Sequence, residues 1–299
     1  MRISRMATAG LLSLLISAQA WAGSSISSVC GACRAVKIAT CGGFLEGPSF
    51  DSQGSLWVVD VTGGRILQIA ADQCEERTKT GSHPNGSLVT KDGNILIADL
   101  NGLLSFDPRS GTLSALDLNF GGEKLTGLND LAADNRGGLY FTIPGMSSAL
   151  RAEGRLFYRG PEGRVHLISD KFSFPNGVAV SGDGETVLLA DFAAKRILSL
   201  PAIGAKGPNQ LAYVFSATQG GIGPDGMKID PDGRLFVANL GAKEVLVFDR
   251  AGTQIGAIAL PEEAGPLVTN IAFHDRALYI TEAAKGEVWK VALVTKSTH

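Results

Sequence analysis

An all-β, six-bladed propeller with a metal site on its central axis is the architecture the sequence predicts. Three observations predict the fold. A short opener recurs six times along the chain. Each opener leads into a strand, a tight turn and a second, more apolar strand. No helical period of useful length interrupts the series. The openers are Leu45-Glu46-Gly47-Pro48, Pro84-Asn85-Gly86, Leu128-Asn129-Asp130, Pro175-Asn176-Gly177, Pro224-Asp225-Gly226 and Thr269-Asn270-Ile271. Their polar residues at 46, 85, 129, 176, 225 and 270 are 39, 44, 47, 49 and 45 residues apart, the length of a four-stranded blade. An open sandwich would not require six matching openers.

Within each unit the turn follows from its residues. Asp51-Ser52-Gln53-Gly54, Lys91-Asp92-Gly93, Gly182-Asp183-Gly184 and Asp230-Pro231-Asp232-Gly233 suit hairpins, because Asp and Gly tolerate the positive φ those turns need. The second strands, such as Leu56-Trp57-Val58-Val59-Asp60 and Leu235-Phe236-Val237-Ala238-Asn239, are nearly continuous apolar runs, as expected for strands buried on both faces. Five of the six end in an acid or amide. Third strands follow, as at Arg65 to Ile69 and Glu244 to Phe248. Ala35 to Ile38 is predicted to pair with the sixth blade and close the ring. Extra residues from Ile143 to Glu153 are predicted to form a loop over the binding face, with Met146 and Leu150 on an apolar pocket wall.

The first 22 residues read as a signal peptide and residues 23–299 as one propeller domain. Arg2 and Arg5 precede an apolar run that includes Leu11 to Ile16, and Ala20-Trp21-Ala22 is an A-x-A cleavage site. That run is too short to span a bilayer. The expected location is periplasmic or secreted, with no membrane partner. An oxidising compartment makes disulfides the expected state of Cys30, Cys33, Cys41 and Cys74, in a pairing that spacing leaves open. A formal net charge of -2 provides no basic surplus for nucleic acid.

In a propeller the innermost strands start beside the axis, so the openers should converge. Glu46, Asn85, Asn129, Asn176, Asp225 and Asn270 each carry a side-chain oxygen. Turn chemistry accounts for Asn and Asp, but poorly for Glu46. Two carboxylates on a narrow axis would repel, and a divalent cation removes that difficulty. Oxygen donors favour Ca²⁺, with Mg²⁺ or Mn²⁺ alternatives, and Zn²⁺ a poorer match to a set without Cys or His.

These motifs carry a resemblance. Phe44-Leu45-Glu46-Gly47-Pro48-Ser49-Phe50-Asp51, Asn129-Asp130, Phe174-Pro175-Asn176-Gly177-Val178-Ala179 and Gly223-Pro224-Asp225-Gly226-Met227 occur in that order. From about Cys41 to Leu293 the chain resembles the gluconolactonase, luciferin-regenerating enzyme and regucalcin family. It also resembles diisopropyl fluorophosphatase and bacterial lactonases. The resemblance implies metal ligands at Glu46, Asn129, Asn176 and Asp225, with Asn129 the member that serves substrate in some relatives. It implies hydrolysis of a lactone or related ester, with Asp225 as general base or nucleophile. Asn85 and Asn270 then orient substrate or water. His83 stands as a candidate at the pocket edge. The fluorophosphatase branch has an Asp where this chain has Lys228, which weighs against phosphotriester chemistry. A non-catalytic binding propeller with a structural ion is the competing class.

Overall fold

A computed structural model describes residues 25–206 and 211–294. The signal-peptide segment lies outside the described residues. Six four-stranded antiparallel sheets form the ring. Their innermost strands are Leu45–Phe50, Pro84–Val89, Leu131–Ala133, Pro175–Val180, Gly223–Ile229 and Val268–His274. Blades 1 to 5 are each built from consecutive strands. Blade 6 borrows its outermost strand: Ala35–Thr40 pairs antiparallel with Glu287–Ala292, so the ring closes as the sequence predicts.

The core is six wedges, one between each pair of neighbouring blades. Trp57, Val59 and Ile66 of blade 1 meet Ile95, Ile97 and Phe106 of blade 2. On the opposite face of the same second strand, Leu56 and Val58 pack towards blade 6 against Ala277 and Tyr279. A strand sandwiched this way must be apolar at every position, which explains why periodicity two is lost there. The remaining wedges repeat the pattern, as with Leu188 and Ala190 of blade 4 against Met227 and Val237 of blade 5.

Polar residues at strand ends fix the loops. Asp51 Oδ1 accepts from the N–H groups of Gln53 and Ser55 while Oδ2 accepts from Trp57 Nε1, pinning the first hairpin. The acids closing the second strands act at the other end of the ring. Asp60 accepts from Phe44 N–H and Arg65 Nε, Asp191 from Ser173 N–H and Arg196 Nε, and Glu282 from Leu267 and Ala284 N–H. Each buried acid thereby joins the entry loop of its blade to the loop after its second strand.

Both disulfides form, Cys30–Cys33 and Cys41–Cys74. Cys41 follows the closing strand directly, and Cys74 lies on the outermost strand of blade 1, Gln73–Lys79. This bond clasps the ring where its two ends meet. It spans 33 residues, so it should contribute about 3–4 kcal/mol by restricting the unfolded chain. Replacing both Cys41 and Cys74 by Ser should lower the unfolding free energy by about that amount in urea melts. An unchanged midpoint would show that the clasp is dispensable. The Cys30–Cys33 bond closes a three-residue separation and should matter less.

Candidate axial site

Irregular pairing aims the opener side chains. In blades 1, 2, 4 and 5 the register between first and second strands shifts just after the opener begins. A bulge turns a strand locally and redirects one side chain. Asn85, Asn176 and Asp225 stand inside these shifts, and Glu46, paired with Val59, stands at the edge of the shift in blade 1. Register also matches blade 3, where Leu131 pairs with Phe141 as Val178 pairs with Leu189. Asn129 therefore holds the same slot.

Blade 6 departs from the predicted equivalence. Asn270 pairs with Thr281 and Ile271 with Ile280, which puts Thr269 in the slot shared by Glu46, Asn85, Asn129, Asn176 and Asp225. Thr269 Oγ1 donates to Leu45 O at 2.7 Å and so stitches blade 6 to blade 1. Asn270 instead occupies the position that is glycine in blades 1, 2, 4 and 5. Its side chain fills the space beside Gly226, where a Cβ would lie 2.1 Å from the Asn270 Cγ. Its Nδ2 donates to Glu46 Oε2 at 3.0 Å, and its Oδ1 accepts from Ile271 N–H at 2.8 Å. Both ends of the amide are thus engaged. The predicted equivalence of Asn270 with the other openers is corrected by one residue, and in this position its amide bonds Glu46.

Asp130 is the counterpart of Asn270 in blade 3, and its importance was not read from the sequence. It is 1% exposed. Its Oδ2 accepts from Val178 N–H at 3.1 Å, and a Cβ on Gly86 would lie 2.6 Å from its Oδ1. Two adjacent polar residues in one opener, Asn129 and Asp130, were the available signal. Thr142 ties this region together. It accepts from Asp130 N–H and donates to the Asn176 carbonyl at 2.8 Å.

Charge is concentrated here. Burial pushes Glu46 up to about 7, with Asp130 adding to the rise, while the Asn270 amide, the Gly47 N–H and Lys228 oppose it. Burial, then the charges of Glu46 and Asp130, holds Asp225 well above the usual carboxylate range, and a hydrogen bond with Asn176 offsets part of that. Lys228, half-buried on the inner strand of blade 5, supplies positive charge near the group. Asn129 Oδ1, Asp130 Oδ1 and Asp225 Oδ1 are buried with no hydrogen-bond partner. These three oxygens, one of them on a reluctantly ionised carboxylate, fit the donor chemistry of a hard cation. Among the described residues no cluster of three or more His, Cys, Asp and Glu side chains could hold a metal, and a set placed here would draw on amide oxygens.

Asn85 is half-buried in the blade 2 slot, and His83 is exposed on the loop that enters the same strand. His83 contributes its backbone carbonyl, which accepts from Leu100 N–H at 3.2 Å.

The family model described as the SMP-30/Gluconolactonase/LRE-like region matches residues 44–284. The chain belongs to this family. Lactonase drp35 of Staphylococcus aureus strain USA300 is 30% identical over 241 residues, covering 73% of this chain and 70% of that protein. A gluconolactonase from Xanthomonas campestris superposes with a TM-score of 0.78 at 22% identity, over 90% of this chain and 92% of its own. Regucalcin from Agrobacterium tumefaciens strain C58, a calcium-binding protein, superposes with a TM-score of 0.72 at 23% identity, over 86% and 95%. These two likenesses establish the propeller fold of the family member described here. The family match begins at Phe44 and ends at Ala284, so it contains all six openers and omits the closing strand Ala35–Thr40.

Proposed function

We propose that this protein hydrolyses a lactone or related carboxylic ester at the axial site. The observation that carries the reading is the convergence of Glu46 and Asp225, both buried and both with raised pKa, beside unpartnered oxygens of Asn129, Asp130 and Asp225. Its membership of a family with lactonase relatives supports the same chemistry.

Glu46, Asn129, Asn176 and Asp225 are the residues that would hold one divalent cation, Ca²⁺ by the hardness of the donors. When bound, the cation supplies Lewis-acid stabilisation of the oxyanion that develops on the ester carbonyl. Asp225 takes the proton of the attacking water as the new C–O bond forms. It returns that proton to the ring oxygen as the ring C–O bond breaks, so the carboxylate is regenerated. Asn270 fixes the Glu46 carboxylate, and Asn176 fixes Asp225. Asn85 and His83 contact the substrate nearer the mouth. A direct attack by Asp225 would instead expel the ring oxygen and form a mixed anhydride, and water attack on the Asp225 carboxyl carbon would then leave that side chain labelled after a single turnover in heavy-oxygen water. The two disulfides support an exported protein.

Chelation tests the reading. A panel of aldonolactones and aryl esters is assayed before and after metal removal, then with Ca²⁺ restored. Loss and recovery of lactone hydrolysis are expected. A lactonase rate untouched by chelation would overturn the metal-dependent mechanism. Tight Ca²⁺ binding without turnover of any substrate would favour the non-catalytic class.

A further inference from the structure

The mouth of the channel is chemically lopsided. Inner strands run away from it and second strands run back, so two sets of loops share that end: those from second to third strands, and those entering each blade. In blades 3 to 5 these loops carry Met146, Leu150 and Ile222, which are 81%, 100% and 53% exposed. In blades 6 and 1 the corresponding loops present Thr62 and Lys285, with no exposed large apolar residue among the described residues, while blade 2 adds Leu100, 52% exposed, beside blade 3. Arg151 and Glu153, the charges of the Met146 loop, pair with each other at 2.6 Å.

Closer to the axis lies an aromatic pair. Phe174 and Phe192 are half-buried, with ring centroids 5.5 Å apart. Phe174 directly precedes Pro175-Asn176. The edge of the Phe192 ring would be 2.9 Å from a Cβ on Gly223, two residues before Asp225. Phe174 holds φ +67, an outlying conformation for a bulky side chain. Two bonds fix it there: its N–H donates to Ser147 Oγ at 3.0 Å, and its carbonyl accepts from Phe192 N–H at 3.1 Å. Ser147 is the neighbour of Met146. One hydrogen-bonded unit therefore joins the exposed apolar loop, the aromatic pair and the entry to Asn176.

We infer that this side of the mouth receives an apolar arm, and that the preferred substrates are lactones bearing an alkyl or aryl substituent rather than polyhydroxylated lactones. The inference rests on the hydrolase reading above. A methylene moved from water against these side chains should raise kcat/KM by up to about fourfold. Hydroxyls placed against the same rings would lose water hydrogen bonds without replacement.

The test compares kcat/KM for an unsubstituted δ-lactone, its butyl, hexyl and phenyl derivatives, and an aldonolactone of the same ring size. A rise along the alkyl series, with the aldonolactone poorest, is expected. Met146→Ser with Leu150→Ser, both at exposed positions, and separately Phe192→Leu, should lower the hexyl rate several-fold more than the unsubstituted rate. A flat series or an aldonolactone preference overturns the inference while leaving lactone hydrolysis intact. If no lactone is turned over, the hydrolase reading fails, and calorimetry with the matching alkyl lactams still decides. Affinity that climbs with chain length supports the apolar face; constant affinity overturns it. A concentration-dependent dimer abolished by the Met146 and Leu150 changes, together with a flat series, would assign the face to self-association instead.

Discussion

Asp225→Asn should reduce lactone turnover about a thousandfold or more, while the ring stays folded. The amide keeps the shape of the side chain but cannot accept the water proton, and general-base catalysis alone is worth about 10²- to 10⁴-fold. Stability should move the other way. Asp225 is a buried carboxylate raised by burial and by the charges of Glu46 and Asp130. Removing its charge relieves that repulsion, so the metal-free variant should unfold at higher denaturant than the metal-free parent at pH 8. The pairing of lost kcat with gained stability is the signature of a residue retained for chemistry. A variant with full activity would remove Asp225 from the mechanism.

Without metal, the protein should become less stable as pH rises from about 4.5 through 7, and Ca²⁺ should abolish that decline. Glu46 sits at about 7 in the fold against 4.5 for an ordinary glutamate. Because its folded pKa is raised, its protonated form favours the fold. That stability is fully present below 4.5 and is lost as pH climbs through about 7. The corresponding loss is about 3 kcal/mol, with Asp225 adding in the same direction. Asp51 and Asp60 act oppositely and in a separate window. Burial works against ionisation in both, but hydrogen bonds outweigh it: Trp57 and the 53–55 turn hold Asp51 down, and Gly63, Arg65 and Thr62 hold Asp60 down. Their stability is lost only as pH falls below the ordinary aspartate value of 3.8. Urea midpoints at pH 5, 6, 7 and 8, with chelator and with Ca²⁺, measure the effect. A chelated protein that grows more stable over this range would show that Glu46 is not strained by burial.

The blades were legible because each is one repeat, and hairpin chemistry at residues such as Asp51 and Gly54 marks its turns. The shared slot of Glu46, Asn176 and Asp225 was legible because each falls at the same place in a repeated opener. Blade 6 was misread by one residue for a physical reason. Thr269 and Asn270 both carry oxygen, and only strand pairing reveals which stands in the axial slot. Asp130 was hidden similarly: its position is glycine in four blades, and a side chain there matters only because the facing glycine leaves it room. The acids ending the second strands were visible as a pattern. Their work as loop anchors was not, because each bonds backbone groups brought close by folding. No periodicity announces the small hairpin of Asn119–Phe120 and Glu123–Lys124, whose residues are exposed.

The borrowed outer strand has a consequence for how the molecule is made. Lys37 and Glu287, joined at 3.1 Å across the seam, are separated by 250 residues. During synthesis the strand Ala35–Thr40 emerges first among the blades' strands, and its partner Glu287–Ala292 emerges last. Until then blade 6 does not exist, and the first strand waits as an unpaired edge able to add to any other open sheet. Blades 1 to 5, each of consecutive strands, can form as they emerge, but this one strand stays without its partner until nearly the whole chain is available. A circular permutant that starts at the inner strand of blade 1 and carries Ala35–Thr40 after Glu287–Ala292 would remove the wait, and should refold at higher protein concentration with less aggregate.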